Sequence, residues 1–285
     1  MTGLRGVVVM SGGGAKAAAH VGAWRALREA GVEPSHIVAT SMGAVIGAAL
    51  AAGRSPQDLA TDLATVRRRD VAGLNPVALL GGFRARSVLR ARPLHQTIAR
   101  LVPARRFDEL VIPFTCTTTD MDTGEQVVFG SLGEDAPLID VLYASSALPV
   151  YYPTTVIGHR RLGDGGIRGV LPLDVAANIE CDVVVAIDVG PGFEERQEPP
   201  PRGIPALLRA HGDATGILMA AATETVLARW HNRSDLPRLI YVRPQVERAV
   251  TFEVDRLLEY IERGYEATLR ELRGDEPSPS GVDRV

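Results

Sequence analysis

Unbroken apolar runs that stop at glycine or at a polar turn recur along this chain. Gly6-Val7-Val8-Val9-Met10, Ile37-Val38-Ala39 and the valine-rich stretch from Asp182 to Asp188 lack the alternation of a strand with one wet face. They read as strands buried on both faces, the pattern of a parallel sheet. Val111 to Thr119 reads as a further central strand, Gln126 to Phe129 as its hairpin partner, Thr154 to His159 as a hairpin-like turn, and Arg238 to Val242 as the last strand. Helical spacing occupies the intervals: Ala17 to Ala30 closed by Gly31, Met42 to Gly53, Gln57 to Arg69 opened by Ser55-Pro56, Ala136 to Tyr143, Leu171 to Ile179, Ile217 to Trp230, and an amphipathic stretch from Val254 to Leu272. The alternation of strand and helix predicts an α/β protein.

Two junctions carry chemistry. Ser11-Gly12-Gly13-Gly14-Ala15-Lys16 joins the first strand to the first helix, and its glycines let backbone amides point into open space at a helix start, which makes an anion or oxyanion site. A phosphate-binding Walker loop would need Ser or Thr after Lys16, and a dinucleotide fingerprint would need glycine at its sixth position; Ala17 fails both. A nucleotide site on this loop stays a minor alternative. At the second junction, Ala39-Thr40-Ser41-Met42-Gly43 places a serine at a tight strand-to-helix turn. Such a turn projects the hydroxyl clear of the sheet and aims the helix N-terminus at a developing negative oxygen. Ser41 is the candidate nucleophile, and Gly43 supplies the small residue the turn demands.

A third stretch, Arg161-Leu162-Gly163-Asp164-Gly165-Gly166, leaves a carboxylate between glycines, free to face a cleft. Ester cleavage needs a nucleophile, a base and donors for the tetrahedral oxyanion; Ser41, Asp164 and the amides of Gly13 and Gly14 supply one of each. No histidine stands in a recognisable catalytic setting: His211 and His231 fall in or beside helical stretches, and His20, His36, His95 and His159 have no motif around them. Direct contact between Ser41 and Asp164 is therefore expected, with burial raising the carboxylate pKa. Asp120 and Asp122 precede Thr123-Gly124 and read as turn residues, and Asp188 as structural.

Four motifs, Gly12-Gly13-Gly14-Ala15-Lys16-Ala17, Ala39-Thr40-Ser41-Met42-Gly43, Ala144-Ser145-Ser146-Ala147-Leu148-Pro149 and Asp164-Gly165-Gly166, stand in the order in which the patatin-like phospholipases carry theirs, and over residues 6 to 190 the chain resembles that family in its bacterial form. The resemblance implies a three-layer α/β/α fold with a mostly parallel central sheet, a Ser41–Asp164 dyad, and an oxyanion surrounded by Gly13, Gly14, Lys16 and Met42, with Gly12, Gly43, Gly165 and Gly166 as motif glycines. It implies a lipid or acyl-ester substrate and neither cofactor nor metal. Ala17 and Ala39 depart from the family's glycines. A lipid- or partner-binding scaffold of weak turnover is the alternative that these two methyls keep open.

Size and charge refine the picture. With 285 residues, 46% of them hydrophobic, one large core suffices. A single domain over residues 1–273 is expected, followed by a disordered tail at 274–285. The net charge is −3, yet between Arg67 and Arg106 ten arginines meet the single acid Asp70. That inserted segment, residues 54–106, reads as a lid-like helical insertion that meets an anionic membrane surface, or as a solvated basic face. No nucleic-acid role is expected. Cys116 and Cys181 lie in apolar runs and read as free thiols. The first ten residues are too short in apolar character for a signal peptide, and no run reaches the roughly 18 residues needed to span a bilayer. A cytoplasmic protein, with a peripheral place at the inner membrane face as its variant, is the expectation.

Overall fold

The computed structural model describes residues 4–76, 87–193, 206–246 and 253–274. Eight strands form one sheet: β1 (Leu4–Met10), β2 (Val32–Thr40), β3 (Phe114–Asp120), β4 (Gln126–Gly130), β5 (Thr155–Ile157), β6 (Arg160–Asp164), β7 (Val183–Ile187) and β8 (Arg238–Val242). Their path is β5-β6-β3-β2-β1-β7-β8, with β4 added on β3. Every pairing from β3 through β2, β1 and β7 to β8 is parallel, and the pairings of β4, β5 and β6 are antiparallel. The mostly parallel sheet expected from the sequence is present.

Alternate residues of β1 divide the core into two layers. Val8 and Met10 belong to one apolar cluster and Val7 and Val9 to the other, all with zero exposure. The first layer holds α1 (Ala19–Glu29), α2 (Ser41–Ala51), α3 (Pro56–Thr65), α4 (Arg68–Val71), α5 (Ala91–Leu101), α6 (Leu138–Ser145) and the terminal α10 (Leu257–Arg273). The second layer holds α8 (Leu173–Ala176) and the C-terminal part of the long α9 (Ala206–His231), with Trp230 in its core. The one-turn α7 (Gly166–Gly169) lies between β6 and α8. This is a three-layer α/β/α arrangement.

One register positions the site. Thr118 of β3 pairs with Val127 of β4 and also with Asp164 of β6, so β4 and β6 occupy opposite edges of β3. Thr115 pairs likewise with Gly130 of β4 and with Val38 of β2. Strands β2 and β6 therefore share one edge, running head to head. Thr40, the last residue of β2, faces Thr117, and Asp164, the last residue of β6, faces Thr118. The residue after Thr40 is Ser41.

Several expected elements differ in extent. The helix expected over Gln57 to Arg69 is broken at Val66 and Arg67, whose backbones are extended; the break turns Val66 into the core, where it is 4% exposed. The first helix starts at Gly14 as a 3-10 turn (Gly14–Ala18) before becoming α1. The helix expected from Leu171 shrinks to Leu173–Ala176 behind Pro172, whereas α9 begins at Ala206, well ahead of Ile217. The 54–106 segment is not separate from the main core: Leu59, Leu63, Val71, Leu94, Ile98 and Leu101 join the first-layer cluster, while Arg67, Arg68, Arg69, Arg90, Arg92, Arg100, Arg105 and Arg106 face solvent. Arg84 and Arg86 lie outside the described residues, as do residues 275–285 of the expected tail.

Candidate active site

Ser41 begins α2 with φ +55, in the left-handed region that side chains other than glycine avoid. The sharp turn lets a helix follow β2 at once and presses the start of α2 against the end of β1. A Cβ on Gly43 would collide with the carbonyl of Ser11, and one on Gly12 would come within 2.9 Å of Ser41 Cβ. Only residues without side chains fit at these two positions. Ala39 occupies the other small position of the turn, fully buried between Met10 and Cys116, and its methyl is accommodated there.

Ser41 Oγ donates to Asp164 Oδ2 at 2.8 Å. Asp164 Oδ1 accepts from the amide of Gly166 at 2.7 Å, and Asp164 is 4% exposed. Burial pushes the carboxyl up to about 7, against the opposing pull of the Gly166 amide and the Ser41 hydroxyl. Among the described residues no histidine bonds to either side chain. His20 turns Nε2 to Ser11 O, His36 Nε2 to Thr115 Oγ1, His95 Nε2 to Asp140, and His231 Nδ1 to Leu227 O.

Amides divide into occupied and available. That of Ser41 donates to Ser145 Oγ at 2.8 Å, that of Gly12 to Val170 O at 3.0 Å, and that of Lys16 to Gly13 O at 3.2 Å. The amides of Gly13, Gly14 and Met42 stand at or before the first turn of a helix, where no carbonyl of that helix can accept them. The Lys16 side chain is 3% exposed and brings Nζ to 3.5 Å from Gly190 O. Gly190 belongs to a loop that Asp188 fastens through its amide at 2.8 Å, through Tyr241, and through Arg243; Asp188 is structural, as its position suggests. Asp120 likewise caps its turn by accepting from the amides of Asp122 and Thr123.

A cavity of about 140 Å³ is lined by Gly12, Gly13, Gly14, Lys16, Ser41, Met42 and Asp164, bringing together seven of the candidate residues. Gly43, Gly165 and Gly166 pack behind it. Most of the remaining wall is apolar, with Ile46 of α2, Leu63 of α3, Val71 of α4, Leu94 and Leu101 of α5, and Leu257 of α10, and Thr97 and Ser146 also line it. Sequence reasoning did not find these wall residues, because their amphipathic spacing signals only burial and not what they face. Ser145 stands within a sequence motif, but its local pattern does not reveal its role. Ser145 Oγ receives the Ser41 amide and donates to Thr117 O at 2.7 Å, while its carbonyl accepts from Gly165 at 3.2 Å. The neighbouring Ser146 hydroxyl is buried without a partner among the described residues.

Fold and site together define an α/β protein whose buried serine–carboxylate pair sits in the wall of an apolar cavity. The family model described as patatin-like phospholipase matches residues 8–177, and the chain belongs to that family. It is similar to an uncharacterized NTE family protein of Mycobacterium tuberculosis, 31% identical over 185 residues that cover 65% of this chain and 49% of the relative. It is also similar to patatin-like phospholipase domain-containing protein 6 of Homo sapiens, 31% identical over 193 residues, 67% of this chain and 14% of that protein. The chain thus spans about half the length of the mycobacterial relative and a small part of the human one. Among solved structures, VipD from Legionella pneumophila aligns over 95% of this chain and 67% of its own at 16% identity, with a TM-score of 0.47.

Proposed function

We propose that the chain is a serine acyl hydrolase that cleaves carboxylic ester bonds of phospholipids or lysophospholipids through Ser41 and Asp164. The observation that carries this reading is the 2.8 Å hydrogen bond from Ser41 Oγ to a carboxylate whose pKa burial has pushed up to about 7. A carboxylate of ordinary pKa is too weak a base to take a serine proton; one near neutrality is matched to the task.

In the first half-reaction Oγ attacks the ester carbonyl carbon as its proton passes to Asp164. The carbonyl oxygen becomes an oxyanion facing the amides of Gly13, Gly14 and Met42, with the positive charge of Lys16 in the same cavity wall. Collapse breaks the bond to the alcohol, which leaves with the proton from Asp164. In the second half, Asp164 takes a proton from water, the resulting hydroxide attacks the acyl-Ser41 carbon, and the carboxylic acid departs as Ser41 recovers its proton. The apolar wall suits the hydrocarbon part of an acyl chain, which supports a lipid substrate.

Ser41→Ala and Asp164→Asn should each lower turnover of a chromogenic acyl ester by about three orders of magnitude or more, and a fluorophosphonate probe should label Ser41 alone. Retained turnover in either variant removes that residue from the mechanism. Failure of labelling with lipid binding intact would favour a scaffold instead.

A further inference from the structure

Ser11, the residue that follows β1, is fully buried, and all of its polar groups are engaged. Its amide donates to Ile187 O at the end of β7 at 3.1 Å, and its carbonyl lies 2.9 Å from His20 Nε2 of α1. A carbonyl only accepts, so that ring nitrogen carries the proton. The Ser11 hydroxyl accepts from the Val189 amide at 2.8 Å. Its own single proton goes to Gly12 O, at 3.1 Å.

The Gly12 carbonyl belongs to the same peptide as the Gly13 amide, one of the donors proposed for the oxyanion. In a trans peptide the N–H points opposite to the C=O, and the described residues contain no cis bond. Fixing Gly12 O therefore fixes the direction of the Gly13 N–H. This peptide needs fixing more than most, because it lies between two glycines, whose backbone freedom lets it turn over at little cost. Turned over, it would present a carbonyl where the oxyanion needs a donor. Val189 holds the peptide at a second point. A Cβ on Gly13 would stand 2.6 Å from Val189 O, so that carbonyl packs directly on Gly13 Cα.

We propose that Ser11 is a positioning residue for the oxyanion, its hydroxyl locking the Gly12–Gly13 peptide with the Gly13 N–H toward the cavity. By donating to the carbonyl of that peptide, the hydroxyl also polarises the N–H and makes it a stronger donor. Ser11 itself touches no reacting atom and exchanges no proton with substrate. This inference rests on the proposed acyl hydrolase reading, since an oxyanion arises only when Ser41 attacks a carbonyl.

The test compares the wild-type chain with Ser11→Ala and Ser11→Cys in turnover of a soluble chromogenic ester and in binding of two long-chain ketones. With a trifluoromethyl ketone, Ser41 Oγ adds to the carbonyl carbon, its proton passes to Asp164 and the ketone oxygen takes the negative charge. The corresponding methyl ketone binds as a neutral carbonyl. In Ser11→Ala, kcat should fall about ten- to a hundredfold, up to the scale of losing one oxyanion donor, while KM stays within about twofold of wild type. Affinity for the trifluoromethyl ketone should fall by the same factor as kcat. Affinity for the methyl ketone should not change, nor should the pH midpoint of kcat/KM, which reports Asp164. Ser11→Cys, whose thiol is a weak donor, should fall between wild type and Ser11→Ala.

Unchanged kcat in a folded Ser11→Ala chain, an equal loss of affinity for both ketones, or a displaced pH midpoint would each overturn the proposal, because the site would then be indifferent to Ser11 or loosened as a whole. So would failure of both variants to unfold cooperatively on heating, which would make Ser11 a residue of the fold and not of the site. If Ser11→Ala alone fails to fold, Ser11→Cys decides by the same measurements. A wild-type chain that neither turns over ester nor takes up the trifluoromethyl ketone sinks the hydrolase reading and this one with it. A wild-type chain that does both, beside a Ser11→Ala chain that does both equally well, sinks the role of Ser11 alone.

Discussion

Ser145 Oγ accepts the amide proton of Ser41 at 2.8 Å and sends its own proton to Thr117 O at 2.7 Å, so a single hydroxyl joins the strained start of α2 to the strand on which Asp164 is paired. Ser145→Ala leaves the Ser41 amide and the Thr117 carbonyl buried without this partner, a cost of about 1–3 kcal/mol. The protein should still fold. Freed from its anchor, Ser41 should lose alignment with Asp164, with kcat for a soluble ester falling by about ten- to a hundredfold while KM changes little. Equal kcat in the variant would show that the elbow holds its shape unaided.

The base role proposed for Asp164 fixes an expected pH dependence. A base must be ionised, so kcat/KM for a neutral ester should rise with pH through about 7 and then level off. Its effect on stability has the opposite sense. A carboxyl raised in the folded state favours folding most below its unfolded pKa of 3.8, and that contribution is lost as pH rises through about 7. Asp164→Asn should therefore melt above wild type at pH 8, with the gap closing toward pH 4, while abolishing turnover. A wild-type rate that does not change between pH 5 and 9 would refute the assignment.

The acid side of the stability profile belongs to histidine. Burial lowers His20 to about 4, with Ser11 O and Asp188 acting weakly against it, and burial lowers His36 to about 4 as well. A depressed histidine favours the folded state above its unfolded pKa of 6.5, and this is lost as pH falls toward 4. Chemical denaturation followed from pH 7 to pH 4 should show a declining unfolding free energy. His36→Gln, which keeps a bonding group for Thr115, should flatten that decline.

Helix α10 is held by close backbone approach to α1. A Cβ on Gly264 would collide with the carbonyl of Ala19, and one on Gly22 with the carbonyl of Ile261. Backbone cannot yield as a side-chain tip can, so Gly264→Ala should cost about 3 kcal/mol. For a chain of this size that lowers the melting temperature by roughly 6–12 °C. Since Leu257 of α10 lines the cavity, the variant should also raise KM for long-chain esters more than for short ones.

Local signals were legible where one segment settles the outcome. The buried runs of β1, β2 and β7 are continuous apolar stretches, β8 spans the residues its pattern predicts, and the serine turn announces itself through Gly43. What could not be read depends on distant registers. Nothing near Asp164 says that β6 meets β2 end to end on β3, and nothing near Ser145 says that its hydroxyl receives the Ser41 amide. The N-terminal half of α9 was missed for another reason: Leu207 to Gly216 packs too little against the core to impose helical spacing, and contains Gly212 and Gly216.

Consecutive β3 residues fix both Ser41 and Asp164, and Ser145 ties Ser41 to that strand, so among the described residues the segment 54–106 makes none of the hydrogen bonds that hold the pair together. Insertion or deletion within residues 54–106 would reshape the hydrocarbon wall and leave the proton donor and acceptor where they are. On the proposed reading, grafting those helices from a relative should change which acyl chains the cavity accepts without moving Ser41 or Asp164.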